Sequence, residues 1–231
     1  MSKIKVNEIS KHDASEITIN DTIKVDTISE KTSDSGVTID GVLIKDGQVD
    51  GVDVSTLSAD TNGLVLINKT TVSAQNYPTV DNVFSSTYSA YKILVNCTST
   101  NTDTIRLRYR TGGASGADHT GSSIYSYNYS YLTLGASGGK THTGAATDNY
   151  IQLGSGFTGN TGFAIEIYSP FEAKNTLATW HIVGSQSGSD YFYDGAGIVS
   201  DTTSLTGFGL YLTTSNRTLT GEILTYGYSE G

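Results

Sequence analysis

Residues 1–76 of this 231-residue chain contain no Phe, Tyr or Trp. All 15 Tyr, all 6 Phe and the single Trp lie between Tyr77 and Tyr228. Large side chains supply most of the area that a compact core buries. The two parts must therefore solve burial differently. Other residue types shift at the same place. Glycine numbers 5 before residue 77 and 21 after it, and all four Arg fall in the second part. The shift predicts a boundary between Asn68 and Pro78, with one region over 1–76 and a second over 77–231.

The apolar residues of the first region are small aliphatics spaced two apart: Ile4 and Val6, Ile17 and Ile19, Ile23 and Val25, Val37 and Ile39, Val42 and Ile44, Val52 and Val54. A period of two is the strand signal, because successive side chains point to opposite faces. Asp40-Gly41, Asp46-Gly47 and Asp50-Gly51 cut these strands short, and Asp-Gly suits turns that need positive φ. Strands of three to five residues without aromatics bury too little area to offset chain entropy in a monomer. The alternation predicts an extended oligomerisation region, with Ile17, Ile19, Ile23, Val25, Val37, Ile39, Val42 and Ile44 packed against copies of themselves around a threefold axis. A disordered acidic tail is the competing reading, since Ser, Thr, Asp and Lys dominate.

The second region reads as an antiparallel β-sandwich of jelly-roll type. Strands are predicted over Tyr91–Asn96, Thr104–Arg110, Ser123–Leu134, Tyr150–Leu153 and Phe163–Tyr168. Further strands follow at Ala178–Val183, Tyr191–Tyr193, Gly207–Thr213 and Leu219–Tyr228, with Gly, Ser, Thr and Asn clusters between them. Thr104–Arg110 alternates most clearly: Ile105, Leu107 and Tyr109 on one face, Arg106, Arg108 and Arg110 on the other. Ser123–Leu134 alternates polar residues with Tyr125, Tyr127, Tyr129 and Tyr131, a row that suits a core, a subunit contact or a receptor surface. Trp180 shares parity with Ala178 and Ile182 and is assigned to the core. His181 shares parity with Leu177 and Val183 and is expected to be packed. No window long enough for a helix has the i, i+3, i+4 pattern. The whole chain is read as all-β.

A net charge of −9 argues against nucleic acid as a partner, because phosphate neutralisation needs Lys and Arg. One cysteine, Cys97, allows no intrachain disulfide and reads as a small buried hydrophobe. The absence of a charged-then-apolar leader or a long apolar run predicts a soluble chain made in the cytoplasm, with no membrane insertion.

Three motif matches do not survive their context. Gly154-Ser-Gly156-Phe-Thr-Gly159 fits the dinucleotide pattern, but a strand-like alternation follows where a helix is required, so it reads as a turn. Gly135-Ala-Ser137-Gly-Gly139 fits the nucleophile elbow without the helix that motif needs, and the same stretch falls one residue short of a phosphate loop. His12, His119, His142 and His181 show no metal-ligand spacing. Asp50 and Asp53 suit turns better than a cation site. No carboxylate pair stands out for acid–base work, and the chain is read as non-enzymatic, with no cofactor and no metal.

Ile23-Lys-Val-Asp-Thr-Ile-Ser-Glu-Lys-Thr-Ser-Asp-Ser-Gly-Val-Thr-Ile-Asp-Gly-Val-Leu-Ile-Lys-Asp-Gly47 resembles a segment recurrent in fibre and virion structural proteins of tailed phages of marine bacteria, including cyanophages. Phe84–Ile93, Ile105–Arg110 and Leu219–Gly227 resemble strands of the module that accompanies it. The resemblance implies a homotrimeric virion component that carries no catalytic residues. A short tail fibre is the first expectation, anchored to other virion proteins by the N-terminal region and meeting a host surface glycan or protein with the sandwich. A capsid knob or head-decoration protein is the alternative, and a carbohydrate-binding module a further one. For the host contact, the loops around 112–121 and 135–144 and an aromatic tip of Tyr191, Tyr193 and Asp194 are the candidates.

Overall fold

The computed structural model describes Val37–Ile39, Val42–Lys45, Gln48–Val49 and Val52–Asp53, and then residues 63–229 apart from 122, 136–139 and 187. The chain divides into two units, Met1–Ser58 and Ala59–Gly231. In the first, β1 (Val37–Ile39), β2 (Val42–Lys45), β3 (Gln48–Val49) and β4 (Val52–Asp53) pair antiparallel in chain order. Val37 stands opposite Ile44 and Ile39 opposite Val42. The expected interface positions Ile17, Ile19, Ile23 and Val25 lie outside the described residues.

The second unit is an antiparallel sandwich built from one sheet folded over itself. Its strands are β5 (Gly63–Gln75), β6 (Thr79–Val80), β7 (Ala90–Thr111), β8 (Ala117–Asp118), β9 (Tyr125–Thr133), β10 (Thr141–Asp148), β11 (Ile151–Tyr168), β12 (Thr176–Gln186), β13 (Ser189–Val199), β14 (Gly207–Leu212) and β15 (Leu219–Ser229). Among the described residues the sole helical element is a 3-10 turn at Gly113–Ser115. One layer runs β5–β15–β7–β11–β12–β13–β9–β10, using the first half of β7 and the second half of β11. The other runs β11–β7–β14–β6, using the remaining halves, with β8 on the end of β7.

Two strands thus pass through both layers, where four separate strands were expected. Tyr91–Asn96 and Thr104–Arg110 are one strand, as are Tyr150–Leu153 and Phe163–Tyr168. The corner falls where β11 slips register against β7, between Gln152 and Gly159. The glycine-rich motif expected to be a turn therefore lies inside a strand. Bulges of this kind let a strand bend and change sheets. Gly156 and Gly159 adopt φ of 83° and 72°, which L side chains rarely hold. An added Cβ at Gly159 meets no atom within 4 Å. Gly159→Ala therefore isolates the backbone cost, expected at about 1–2 kcal/mol in chemical denaturation. Unchanged stability would mean that the corner does not require this conformation.

Alternation fills the space between the layers. Tyr91, Ile93, Ile105, Leu107 and Tyr109 of β7 face inward with exposures of 0%. Trp180 and Ile182 of β12 and Phe208 and Leu210 of β14 are equally buried. Trp180 Nε1 donates to the Leu153 carbonyl at 2.8 Å, and Tyr193 Oη donates to the Ser155 carbonyl at 2.6 Å, joining the layers. Cys97 is buried, as expected, and burial pushes its thiol up to about 12. The boundary expected between Asn68 and Pro78 moves toward the N-terminus. β5 pairs with β15 from Gly63 to Gln75, so this aromatic-free stretch is a strand of the sandwich.

Candidate functional site

Tyr191, Tyr193 and Asp194 do not form a tip. They lie within β13, which is hydrogen-bonded to β12 on one side and β9 on the other. Tyr193 is 1% exposed and packs on Phe157, with ring centroids 4.9 Å apart. Tyr191 is half-buried beside Tyr131. Alternation sends Asp194 to the outer face, where it accepts from Ser130 Oγ at 2.8 Å and Lys140 Nζ at 3.0 Å. These contacts hold its carboxyl below the usual range, Ser130 contributing most. The Tyr row of β9 also turns inward: Tyr125, Tyr127 and Tyr129 are buried. Tyr125 Oη accepts from the Tyr109 N–H and donates to the His119 carbonyl.

His181 was expected to be packed, and its parity with Leu177 and Val183 holds. That parity faces outward, however. Leu177 is 48% and Val183 50% exposed. His181 itself stacks on Phe192 across the β12–β13 ladder. The outer face of the larger layer also carries Leu64, Leu66 and Tyr168, each between 40% and 52% exposed. Small residues leave hollows between these side chains. One of about 760 Å3 and one of about 510 Å3 share Asn96, Gly162, Val183 and Glu222, and a third of about 650 Å3 lies over Gly144, Ala146, Ala196 and Ile198. Aliphatic ridges beside hollows floored by Gly and Ala form a surface able to interlock with another.

The outer face of the smaller layer is chemically different. Arg106, Arg108 and Arg110 project there from β7, as their alternation predicts. Arg110 pairs with Asp81 (2.6 Å) and Asp118 (2.5 Å), and Arg108 with Asp118 (3.0 Å). Asp118 stands on β8, in the loop over 112–121, so this part of the loop serves the arginines. Burial pushes the Asp118 carboxyl up, but the Tyr77 hydroxyl and the two guanidiniums outweigh it and hold it below the usual range. Tyr77 Oη donates to Asp118 at 2.5 Å, and its ring fills the space left by Gly209, which has no Cβ. Burial and this carboxylate raise the Tyr77 pKa. Sequence reasoning missed Tyr77, Tyr150 and Tyr211 as partners of the arginines. A signal was present in the parity of Tyr211 with Gly209, but the neighbours of β7 depend on strand order.

Arg106 differs from its two neighbours. Its guanidinium carbon lies 3.8 Å above the Tyr150 ring and 5.9 Å from that of Tyr211. Among the described residues no carboxylate lies within ion-pairing distance of it. Of the histidines, His119 pairs with Asp201 at 3.0 Å. Among the described residues no three His, Cys, Asp or Glu gather at metal-binding distance, and no helix is long and apolar enough to cross a membrane. No protein-family model, curated protein or solved structure matches this chain.

Proposed function

We propose that the protein is a non-enzymatic structural component of a phage virion, a short homotrimeric fibre whose N-terminal region assembles and anchors it while the sandwich meets the outside. The observation that carries this reading is the outer face of the larger layer, where Tyr168, Leu177 and Val183 are each 40–50% exposed. Apolar side chains exposed on one face of a β-protein suit contact with another macromolecule. A second copy of the chain is the economical partner, since the aliphatic alternation of residues 17–44 predicts self-association independently. The likeness of residues 23–47 to phage fibre segments gives the assembly its setting. The acidic net charge of −9 suits a crowded particle surface.

Mass measurement of the full chain at micromolar concentration is expected to return a trimer; a monomer would remove the reading. Ile39→Asp or Ile44→Asp would place three carboxylates near a shared axis. Like charges with poor solvation cost several kcal/mol in total, so either variant is expected to dissociate. If both assemble and melt like the parent, these positions face water and the register around the axis is wrong. A truncation meant to separate the regions has to start near Ala59, because one starting at Tyr77 also strips β5 from β15. Immunolabelled virions imaged by electron microscopy distinguish a tail fibre from a head-decorating protein, the second reading of the same assembly.

A further inference from the structure

We propose that the outer face of the smaller layer binds an anionic saccharide, with Arg106 taking its carboxylate or sulfate and the Tyr150 and Tyr211 rings taking its apolar sugar face. This gives a ligand class to the surface-contact half of the proposed function and rests on that half.

The three arginines of β7 are treated differently by their surroundings. Arg110 and Arg108 are neutralised by Asp81 and Asp118, and their side chains are 11% and 17% exposed. They brace the layer. Arg106 lies 3.8 Å over Tyr150 and 5.9 Å from Tyr211, whose ring Arg108 approaches more closely at 4.7 Å, and it differs from Arg108 in having no ion pair among the described residues. A ring quadrupole positions a guanidinium without neutralising it. An anionic ligand then meets a preoriented cation that forms no ion pair with a carboxylate among the described residues. A guanidinium also offers planar, paired donors that match carboxylate and sulfate oxygens.

The surroundings of Arg106 suit a sugar. Tyr150 and Tyr211 are half-buried and stand edge to face, with centroids 6.1 Å apart and planes 83° apart. Tyr211 continues to Tyr77 at 5.5 Å, which extends the aromatic surface to that side, while Tyr150 rests on the buried Tyr127 at 6.2 Å. Rings of this kind present rigid, low-entropy contact area with a polar edge. Beside them, exposed Asn149 offers an amide, whose oxygen accepts from Arg108 at 3.4 Å. Asp148 borders the site and accepts from the Asn149 N–H at 2.8 Å. Asp81 and Asp118 are occupied by the other two arginines. A single guanidinium at this site, on a chain of net charge −9, favours isolated anionic groups on a sugar over the continuous phosphates of a nucleic acid.

The test uses the full chain and calorimetric titration at low salt with four probes: an alginate oligomer, a sulfated carrageenan oligomer, a neutral dextran oligomer and a single-stranded oligonucleotide. Binding is expected for the alginate, the carrageenan or both, which identifies the anion, and is expected to weaken at least tenfold in 0.5 M salt. Arg106→Gln and Tyr150→Ala should each weaken it at least tenfold, with Arg106→Lys between Gln and the parent. Melting curves of each variant check that the sandwich is intact. Should Tyr150→Ala fail to fold, Tyr150→Phe, which keeps the ring, is expected to retain most of the binding. The proposal is overturned if neither anionic oligomer binds, if dextran or the oligonucleotide binds as tightly, or if folded Arg106→Gln binds like the parent. Mass measurement on the same samples reports assembly separately, so failure of sugar binding with a trimer intact removes the site and leaves the assembly reading standing.

Discussion

Replacing Trp180 with Ala is expected to lower the stability of the sandwich by about 3–5 kcal/mol, the range for emptying a large aromatic site in a packed core. The side chain is fully buried between the layers, and its ring lies against Gly195 of β13, where an added Cβ would collide with it. A neighbour without a side chain cannot move in to fill the cavity. The Leu153 carbonyl falls within the register shift of β11 and accepts from Trp180 Nε1, so the Ala variant also strips a buried acceptor. Trp180→Phe separates the two effects. It keeps most of the apolar area and loses the hydrogen bond, for an expected cost of about 1–3 kcal/mol. Trp180 is the only tryptophan, so unfolding is followed by circular dichroism in denaturant. An Ala variant with the parent's midpoint and slope would mean that the layers are not joined at this ring.

Asp103→Ala should be the most damaging change to a charged residue. Asp103 stands at the corner of β7 and is 6% exposed. Its carboxylate accepts from the Thr213 hydroxyl and from the backbone N–H groups of Thr104 (2.6 Å), Thr213 (3.3 Å) and Thr214 (3.1 Å). It thereby ties the bend to the end of β14. Removing the acceptor leaves buried donors without a partner, at about 2–4 kcal/mol by the usual cost of charge-assisted bonds. Burial pushes this carboxyl up, but the donors of Thr213, Thr104 and Thr214 outweigh it, and its pKa falls below the ordinary value. A lowered folded-state pKa contributes stability that is present above the unfolded value, about 3.9. That contribution is lost as pH falls through the folded value. The stability gap between parent and Asp103→Ala should therefore be constant near neutrality and narrow below about pH 4. A gap that stays constant to pH 2 would show that the carboxylate charge does not matter at the corner.

Much of the all-β fold was legible in the sequence because strand alternation is a local property. The parity of Arg106, Arg108 and Arg110 against Ile105, Leu107 and Tyr109 is set by two-residue periodicity alone, and the same holds for Trp180 with Ala178 and Ile182. The aromatic row of β9 was equally visible, although its sequence left core and surface open. β10 was not legible, because Thr141–Asp148 has no apolar alternation and is a strand through its pairing with β9. The pairing of β5 was not legible for a related reason. Aromatic content marks where a core is dense, whereas sheet membership depends on which edge is free to pair, and the free edge belongs to β15, about 150 residues later.

The misplaced contact tip has the same physical origin. Alternation says which residues of Tyr191-Phe192-Tyr193-Asp194 share a face, but not which face meets the opposite layer. Burial of Tyr193 against Phe157 follows from the fold of β11 at its corner, where bulges turn Phe157 inward. The period of each strand and the segregation of aliphatic from aromatic chemistry are local, because both are read within a few residues. The continuity of two pairs of strands, the outward face of His181 and the place of Arg106 over Tyr150 come from the three-dimensional arrangement. Each of these depends on residues tens of positions apart brought side by side, and their order across a sheet is decided by the burial of the whole face.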